Sequence, residues 1–478
     1  MSSTLKKKAF KGVVWSAIES ISVKSITFLI QIVLARLLVP NDYGIIGMLA
    51  IFMQIGQVFV DSGFANALIQ KKNCTEADYT TVFYYNLGIA FALYLLFFII
   101  SPYVATFYKM PLLTNVMRVL SIVLIINALS IVHRTKLIKS INFKSQSIIA
   151  FLGALLSGII GISMAYYGFG VWSLVWQQIT NSIFVFLLLV YFTRWKPSFQ
   201  FSNESFKHLF KFGSRLLGAS LLNQIYRNLY TIVIGKKFSA ESLGYYTRAE
   251  QFAIFPSHTL GSIVVKVAFP TLSIVQDDNQ KLNIAYRKII RLTSFIIFPL
   301  MVGVIALAKP FILIVLSAKW SPSIILLQIL CLDWMLDHLS GINLNLLYVK
   351  GRSDLALRLE IIKKITAVVI LFASIPFGLI GMCWGRVLYS VFATIANSFY
   401  TKQLISLSFL QQMKDIMPFL FTSFFMGIAI YLSTRPFEQS ITQLIVGTVT
   451  GLFLYLILSM LFFKGIVKEV FQTLKLRK

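Results

Sequence analysis

The sequence has one long stretch that carries no charge. Ser145–Thr193 contains no Asp, Glu, Lys, Arg or His over 49 residues. A soluble protein cannot bury one continuous apolar block of that length, so the stretch excludes a soluble fold. A bilayer crossing takes about 20 apolar residues as helix, and the stretch therefore predicts two crossings. A turn is predicted between them at Tyr166–Gly170.

Acidic residues and cysteines are both scarce. The 478 residues include 17 Asp and Glu against 44 Lys and Arg, and 57% are hydrophobic. The three cysteines, Cys74, Cys331 and Cys383, show no paired spacing, so neither a disulfide framework nor a metal site is predicted. The sequence also lacks a Gly-rich phosphate loop and a nucleophile elbow, so we predict no catalytic residue, no cofactor and no ATP site.

Continuous apolar runs predict an all-α polytopic membrane protein with about fourteen transmembrane helices. The first run follows Lys6–Lys8 and lacks a small-residue cleavage site, so we expect a retained helix rather than a signal peptide. The predicted helices lie near residues 12–37, 43–69, 79–103, 112–133, 146–167, 171–193, 209–235, 245–275, 286–308, 322–349, 356–376, 380–401, 414–434 and 440–463.

The placement of basic residues predicts the topology. With the N-terminus in the cytoplasm, 28 Lys and Arg outside the helices lie on the cytoplasmic side and 8 on the opposite side. This asymmetry is the positive-inside pattern and places both termini in the cytoplasm. Most of the net charge of +27 is then explained by topology and by contact with anionic membrane lipids. Nucleic-acid binding is therefore not predicted.

The chain also repeats itself at an interval of about 200 residues. Ile32–Arg36 and the following Asp42–Gly44 align with Ile232–Lys236 and Ser242–Gly244. Two parallel repeats are a transporter architecture, with substrate bound between the halves. We predict an N-terminal six-helix lobe at 1–200, a C-terminal six-helix lobe at 201–405, and two additional helices with a basic tail at 406–478.

Basic residues inside the predicted helices are candidates for a cationic cleft, because a charge at bilayer depth usually faces a cavity or a partner. Arginine suits a phosphate-bearing substrate because its planar donors bind two oxygens at once. Snorkelling to the surface is the alternative for Arg215, Arg248, Lys363 and Lys364, which lie near helix ends. The substrate-binding candidates are Lys24, Arg215, Arg227, Arg248, Lys266 and Arg386.

The few acidic residues inside the predicted helices are candidates for ion coupling or for structural pairing. Asp333 and Asp337 lie four residues apart on one helix face. The alternatives are a cation or proton site, a buried pair bonded to neighbouring helices, and a pair near the membrane surface. The full set of acidic candidates is Glu19, Asp61, Glu250, Asp333 and Asp337.

Several short segments, in order along the chain, resemble one known family. These segments are Leu34–Leu38, Asp42–Gly44, Phe59–Phe64, Ala67–Lys71, Leu243–Ala249, Phe269–Ser273 and Lys350–Asp354. The chain resembles the Wzx-type polysaccharide flippases, which belong to the multidrug/oligosaccharidyl-lipid/polysaccharide exporter superfamily.

The resemblance implies two six-helix lobes in a V-shaped arrangement plus two C-terminal helices. It implies alternating-access export of an undecaprenyl-diphosphate-linked oligosaccharide across a bacterial inner membrane, for surface polysaccharide. Coupling to protons or sodium, and partnership with a polysaccharide polymerase and a chain-length regulator, are further hypotheses. The motif positions are Asp61, Arg248 and the glycines Gly44, Gly63, Gly244 and Gly351, for which helix packing or capping is the alternative role.

Three other functions remain as alternatives. A drug/cation antiporter of the same superfamily is expected to carry acidic residues in its lobe interior, where this chain offers mainly Glu19, with Asp61 at a helix end. A flippase for a lipid-linked peptidoglycan precursor would share the chemistry of the predicted substrate. A membrane polymerase or glycosyltransferase is expected to have a large external loop or a soluble catalytic domain, and the predicted loops are short.

Overall fold

The computed structural model describes residues 22–61, 63–466 and 468, apart from the side chains of 208, 211–216, 219 and 258–271. All regular structure in these residues is helical, which confirms the predicted all-α class. The chain divides into two compact units, unit 1 at residues 1–244 and unit 2 at residues 245–478. The predicted three-part division remains a prediction, as does the structure of the segment that contains Glu19, which lies outside the described residues.

Unit 1 is built from nine helices within its described part. They are 22–37 (α1), Pro40–Asp61 (α2), Phe64–Gln70 (α3), Glu76–Tyr108 (α4), Leu112–Leu120 (α5), Ile122–Lys139 (α6), Phe143–Tyr166 (α7), Val171–Thr193 (α8) and Asn203–Lys237 (α9).

Unit 2 follows from a helix, α10 (Ala240–Ile274), that begins in unit 1. The later helices are Asn279–Val315 (α11), Ser323–Val349 (α12), Ser353–Ser374 (α13), Gly378–Ser398 (α14), Thr401–Ile405 (α15), Phe409–Thr434 (α16) and Ser440–Phe462 (α17). Single 3₁₀ turns at Ala318–Trp320 and Ile375–Phe377 precede α12 and α14.

Membrane crossing follows from the length and composition of these helices. Ten helical segments of the described chain are long and apolar enough to span a bilayer, so the chain is a multi-pass membrane protein. The uncharged stretch forms α7 and α8, and the turn between them contains Gly168 and Gly170 at φ 82° and 52°, conformations that glycine adopts without steric cost. The exact number of fourteen crossings remains a prediction.

Each unit has its own pattern of helix packing. In unit 1, α7 packs against α8, α6 contacts both α4 and α8, and α2 packs along α9. In unit 2, α11 contacts α12, α16 and α17, while α14 packs between α12 and α13. The last two helices are therefore held on unit 2 by α11.

Local charge pairs fix the connection between α3 and α4. Thr75 caps α4 by accepting from the Asp78 backbone N–H, and the Asp78 side chain accepts from the Thr75 backbone N–H in return. Lys71 Nζ lies 2.8 Å from the Asp78 carboxylate, and Lys136 Nζ lies 2.8 Å from Glu76. Some of the basic residues that the sequence predicts on the cytoplasmic side, such as Lys71 and Lys136, thus form ion pairs with α4.

Two glycines with equivalent places in the sequence repeat allow a close backbone approach inside unit 1. A Cβ on Gly44 would overlap the Ala240 carbonyl oxygen, and a Cβ on Gly244 would overlap the Pro40 carbonyl oxygen. Pro40 and Ala240 are the first residues of α2 and α10. Each glycine thus lies against the first residue of the other glycine's helix, so close packing accounts for both glycines.

The other two motif glycines have left-handed backbone conformations. Gly63 and Gly351 both have φ 68°, a region that residues with a Cβ occupy at a cost. Gly351 ends α12, where its N–H donates to the Tyr348 carbonyl and the Arg352 N–H donates to the Leu347 carbonyl. This is the glycine-terminated helix end that precedes α13.

Candidate functional site

Unit 1 contains a polar cavity of about 580 Å³, which we call the amide cavity. Its volume falls within the range of roughly 300–1,000 Å³ that small-molecule sites occupy. The residues that line it come from α2, α3, α6, α8 and α9, with Gly63 between α2 and α3. Its polar side chains are Gln57, Asp61, Asn66, Asn127, Ser130, Arg134, Thr135, Asn181, Ser182 and Ser220.

Helix periodicity explains why these side chains meet. Gln57 and Asp61 are four residues apart on α2 and therefore share one face. Asn127 and Arg134 are seven residues apart on α6, which is close to two full turns. The apolar residues on the remaining faces of these helices are available for packing and lipid contact, so the polar stripes converge on the cavity.

Hydrogen bonds connect the amides of the cavity wall. Asn127 Nδ2 donates to Gln57 Oε1 at 2.8 Å, and Gln57 Nε2 donates to Asp61 Oδ1 at 3.0 Å. Each amide still has donors and acceptors beyond these bonds. The wall is thus partly ordered and can also bond the hydroxyl groups of a ligand.

The cavity has one acidic and one basic residue. Asp61 and Arg134 are both exposed, and they attract each other electrostatically. Within the described part of the chain, Arg134 has no carboxylate within 4.0 Å, so its guanidinium is not bound in an ion pair. Arg134 is therefore available to an anionic group of a ligand.

Unit 2 contains a second polar centre, in which the arginine is buried and paired. We call it the α14 ion cluster, and it consists of Tyr246, Glu250, Asp333 and Arg386. The Arg386 guanidinium lies 2.7 Å from Asp333 and bonds the Glu250 carboxylate and the Tyr246 hydroxyl. The side chain of Arg386 is only 13% exposed. A charge buried in this way needs partners, and two helices, α10 and α12, supply them to Arg386 of α14.

Further polar contacts tie α14 to α12 on either side of the cluster. Ser390 Oγ donates to the Asp333 carbonyl at 2.9 Å, one turn after Arg386. Asn397 Nδ2 donates to the Ser340 carbonyl at 3.2 Å two turns further on. These bonds join α12 and α14 next to the cluster. Within the cluster, two carboxylates share the single guanidinium of Arg386.

The remaining predicted residues do not gather at one point within the described structure of either unit. Lys24 and Arg227 are exposed on α1 and α9. Arg248 is half-buried and donates to Gln251 Oε1 at 2.6 Å. Asp337 is exposed, whereas Asp333 one turn earlier is buried. The substrate-binding roles proposed for these residues from the sequence remain predictions.

Three predicted positions need separate mention. The side chains of Arg215 and Lys266 lie outside the described set, although their backbones lie in α9 and α10. Lys363 is 5% exposed and pairs with Glu360 on the same helix. Lys363 is therefore buried in an ion pair and does not extend to the membrane surface, which was the alternative predicted from the sequence.

Sequence reasoning missed the cavity residues that surround Asp61. The prediction placed Arg134 in a cytoplasmic loop because the fourth helix was expected to end near 133, whereas α6 continues to Lys139. Gln57, Asn127 and Asn181 carry no charge, so a count of intramembrane charges did not reveal them. For Gln57 and Asn127 the available signal was their helical spacing from Asp61 and Arg134, whereas Asn181 lies on α8 and carried no such signal.

No group of three or more His, Cys, Asp or Glu side chains within the described residues could hold a metal ion. The three cysteines are free, with Cys331 and Cys383 buried and Cys74 half-buried. The polar centres of the two units are thus made of carboxylates, guanidinium groups, amides and hydroxyls.

The sequence of this chain matches the model of a known protein family. The family model described as "Polysaccharide biosynthesis protein" matches residues 33–325, more than half of the chain. The chain belongs to this polysaccharide biosynthesis protein family. The match contains the resembling segments from Leu34–Leu38 to Phe269–Ser273, and it confirms the relationship predicted from them.

Two curated relatives match this chain over nearly its full length. The teichuronic acid biosynthesis protein TuaB of Bacillus subtilis (strain 168) is 27% identical, with 95% of this chain and 96% of TuaB covered. The lipopolysaccharide biosynthesis protein WzxC of Escherichia coli (strain K12) is 25% identical, with 89% of each chain covered.

Solved structures show the same fold in a more distant protein. The lipid II flippase MurJ, in an inward closed conformation, superposes with a TM-score of 0.77 at 16% identity, covering 95% of this chain and all of the MurJ chain. At this level of identity the similarity concerns the arrangement of the helices. It confirms a polytopic all-α membrane fold for this chain.

Proposed function

We propose that the protein is a flippase, and not an enzyme, that moves undecaprenyl-diphosphate-linked oligosaccharide from the cytoplasmic to the periplasmic leaflet of a bacterial inner membrane. Transport proceeds by alternating access and supplies cell-surface polysaccharide biosynthesis. The observation that carries this proposal is the amide cavity. Its wall combines neutral hydrogen-bonding groups for sugars with Arg134, an arginine that no described carboxylate pairs with, for phosphate.

The chemistry of the cavity fits the two polar parts of such a substrate. Sugar hydroxyls both donate and accept hydrogen bonds, as do the amides of Gln57, Asn127 and Asn181. A diphosphate offers pairs of oxygens that match the planar guanidinium of Arg134. The polyprenyl tail is apolar and stays in the bilayer, beside helices whose exposed side chains are largely hydrophobic.

The position of the cavity along the helices fits loading from the cytoplasm. Asp61 ends α2, and Arg134 lies in the last two turns of α6. With both termini in the cytoplasm, these helix ends face the cytoplasmic side. A substrate synthesised there would meet the cavity before translocation.

The relatives support a step common to several polymers. One relative is named for teichuronic acid biosynthesis and another for lipopolysaccharide biosynthesis. Both match this chain along nearly all of its length, so the shared part includes both units. Transport of a lipid-linked repeat unit is a step that pathways to different polymers can share.

Flipping by the purified protein tests the proposal. Proteoliposomes would contain a fluorescent undecaprenyl-diphosphate-linked oligosaccharide, and an impermeant quencher outside would report its movement between leaflets. We expect the Arg134→Ala variant to flip about 10- to 100-fold more slowly, because a charge-assisted contact contributes roughly 1.5–3 kcal/mol. Arg134→Lys should retain part of the rate.

A matched control and two contrary outcomes make the test decisive. Arg358 on α13 is an exposed arginine that no described residue pairs with, so Arg358→Ala should flip at the unaltered rate. Absence of flipping by the unaltered protein would remove the proposed function. Equal rates for Arg134→Ala and the unaltered protein would remove the role of the amide cavity. Preference for a lipid-linked peptidoglycan precursor would reassign the substrate.

A further inference from the structure

Unit 2 has a basic recess at the ends of two helices, away from the α14 ion cluster. It has a volume of about 480 Å³ and lies between the first turns of α11 and the residues that follow α17. We call it the basic recess. Its lining residues are Ile284, Arg287, Lys288, Arg291, Leu292, Phe462, Phe463, Gly465 and Ile466.

Three cationic side chains on one side of α11 form the polar wall of the basic recess. Arg287 and Arg291 are four residues apart, and Lys288 lies between them at the spacing that shares a face with Arg291. Arg287 is held in place by Asp415 of α16, with Nε–Oδ2 and Nη2–Oδ1 distances of 2.6 and 2.8 Å. This bidentate pair fixes the arginine and neutralises one positive charge.

The recess keeps a positive charge after that pairing. Arg291 is exposed and, among the described residues, lies within ion-pair distance of no carboxylate. Lys288 is exposed as well. Lys464 lies between the lining residues Phe463 and Gly465 in the chain.

The opposite wall is apolar and belongs to the end of a membrane span. Phe463 packs on Phe419 with ring centroids 4.7 Å apart and lies 6.3 Å from the ring of Phe295. Phe462, the last residue of α17, is 68% exposed. A ligand in this recess therefore meets ordered cations on one side and a hydrocarbon surface on the other.

Both walls belong to the predicted cytoplasmic boundary of the membrane. The basic stretch Lys281–Arg291, which forms the first turns of α11, and the basic tail after α17 are predicted to be cytoplasmic by charge. The structure brings these two helix ends together in one recess. Basic pockets between helices on that side are where anionic lipid headgroups bind.

We propose that the basic recess binds the phosphate headgroup of an anionic phospholipid of the surrounding bilayer, with an acyl chain along Phe462 and α17. Arg291 and Lys288 contact the phosphate, while Arg287, positioned by Asp415, borders it. The proposal concerns a lipid site of unit 2 and stands independently of transport. A bulk phospholipid fits better than soluble phosphate, because the exposed phenylalanine offers nothing to an inorganic ion.

Native mass spectrometry of the full-length protein in a neutral detergent, titrated with phosphatidylglycerol or phosphatidylcholine, tests the site. We expect phosphatidylglycerol to bind in preference to phosphatidylcholine. Arg291→Ala should weaken that binding about fivefold, and Arg291→Ala with Lys288→Ala about 25-fold, because each basic residue near an anionic surface contributes about 1 kcal/mol. Arg291→Lys should bind nearly as well as the unaltered protein.

The controls separate the sources of phosphate. Arg358→Ala should leave phosphatidylglycerol binding unchanged. Equal binding by the Arg291→Ala/Lys288→Ala variant would overturn the site. Displacement of phosphatidylglycerol by an equal concentration of inorganic phosphate would show a soluble-anion site, and displacement by undecaprenyl phosphate at lower concentration would show a substrate site. Either displacement would overturn the phospholipid assignment.

Discussion

The two units treat charges inside the membrane in opposite ways. In unit 1, Arg134 and Asp61 face a cavity whose wall consists mostly of neutral amides and hydroxyls. In unit 2, Arg386 is enclosed by Glu250, Asp333 and Tyr246, and its donors already have acceptors. A charge that is accessible and unpaired can bind a ligand, whereas a charge that is buried and paired holds helices together.

This difference distinguishes ligand-binding arginines from arginines that hold helices together, which the sequence alone did not distinguish. Arg386 and Arg227 were equal candidates for a cationic cleft, because each is a basic residue inside a predicted helix. We infer that Arg386 acts through the position of α14, since its guanidinium cannot reach a substrate without leaving the buried Asp333 and the half-buried Glu250. Arg134 is the residue of unit 1 that the same reasoning assigns to ligand binding.

The largest expected effect comes from breaking the α14 ion cluster. Arg386→Ala leaves the buried Asp333 and the half-buried Glu250 without their cation. Removing one partner of a buried ion pair costs about 3–5 kcal/mol. We expect a clearly lower midpoint of thermal unfolding in detergent, followed by tryptophan fluorescence. Arg134→Ala removes an exposed charge that pairs with no described carboxylate, so it should leave that midpoint nearly unchanged.

A charge-neutral replacement sharpens this prediction. Arg386→Met combined with Glu250→Gln and Asp333→Asn removes all the charges together, so most of the lost stability should return. An unfolding midpoint for Arg386→Ala equal to that of the unaltered protein would show that the cluster is not structural. The contrast between the two units would then fail.

The second effect concerns the close backbone approach inside unit 1. Gly44→Ala and Gly244→Ala each place a methyl group on a backbone carbonyl, and overpacking of this kind costs about 1–3 kcal/mol. Gly88 in α4 and Gly341 in α12 have open space at the Cβ position, so alanine there should be neutral or stabilising by about 0.5–1 kcal/mol. The sign of the change in unfolding midpoint distinguishes the pairs, and equal signs would contradict the tight approach.

A smaller effect is expected from the amides of the cavity. Gln57→Ala and Asn127→Ala each remove neutral hydrogen bonds that contribute about 0.5–1.5 kcal/mol, so we expect a roughly 2- to 10-fold higher substrate density for half-maximal flipping. Gln443→Ala in unit 2 removes an amide of the same size outside both polar centres. If all three variants flip alike, the cavity wall does not bind the sugars.

Sequence patterns predicted the helices better than the polar centres, for a physical reason. A run such as Ser145–Thr193 must cross the membrane whatever its neighbours are, because its composition permits no other environment. The ends of α6 and the faces of α2 depend on packing, and an error of a few residues placed Arg134 in a loop. The ion cluster needs α10, α12 and α14 side by side, which no local pattern of Glu250, Asp333 or Arg386 contains.

The smallest expected effect is a difference in thiol reactivity between the units, and it also tests the side of the membrane. Cys74 of unit 1 is half-buried, with its Sγ 2.7 Å from Lys139 Nζ and 3.3 Å from the Leu68 carbonyl oxygen. Cys331 and Cys383 are buried in α12 and α14. A membrane-impermeant maleimide should therefore label Cys74 slowly and leave the thiols of unit 2 unmodified, and Cys74→Ser should abolish labelling.

The same labelling tests the side of the membrane. Because the basic connection at Lys71 is assigned to the cytoplasm, Cys74 should be labelled in inside-out vesicles and not in right-side-out vesicles. Labelling in the reverse orientation would invert the topology and turn the amide cavity toward the periplasm, while labelling in the Cys74→Ser variant would show that the packing around the α14 ion cluster is open.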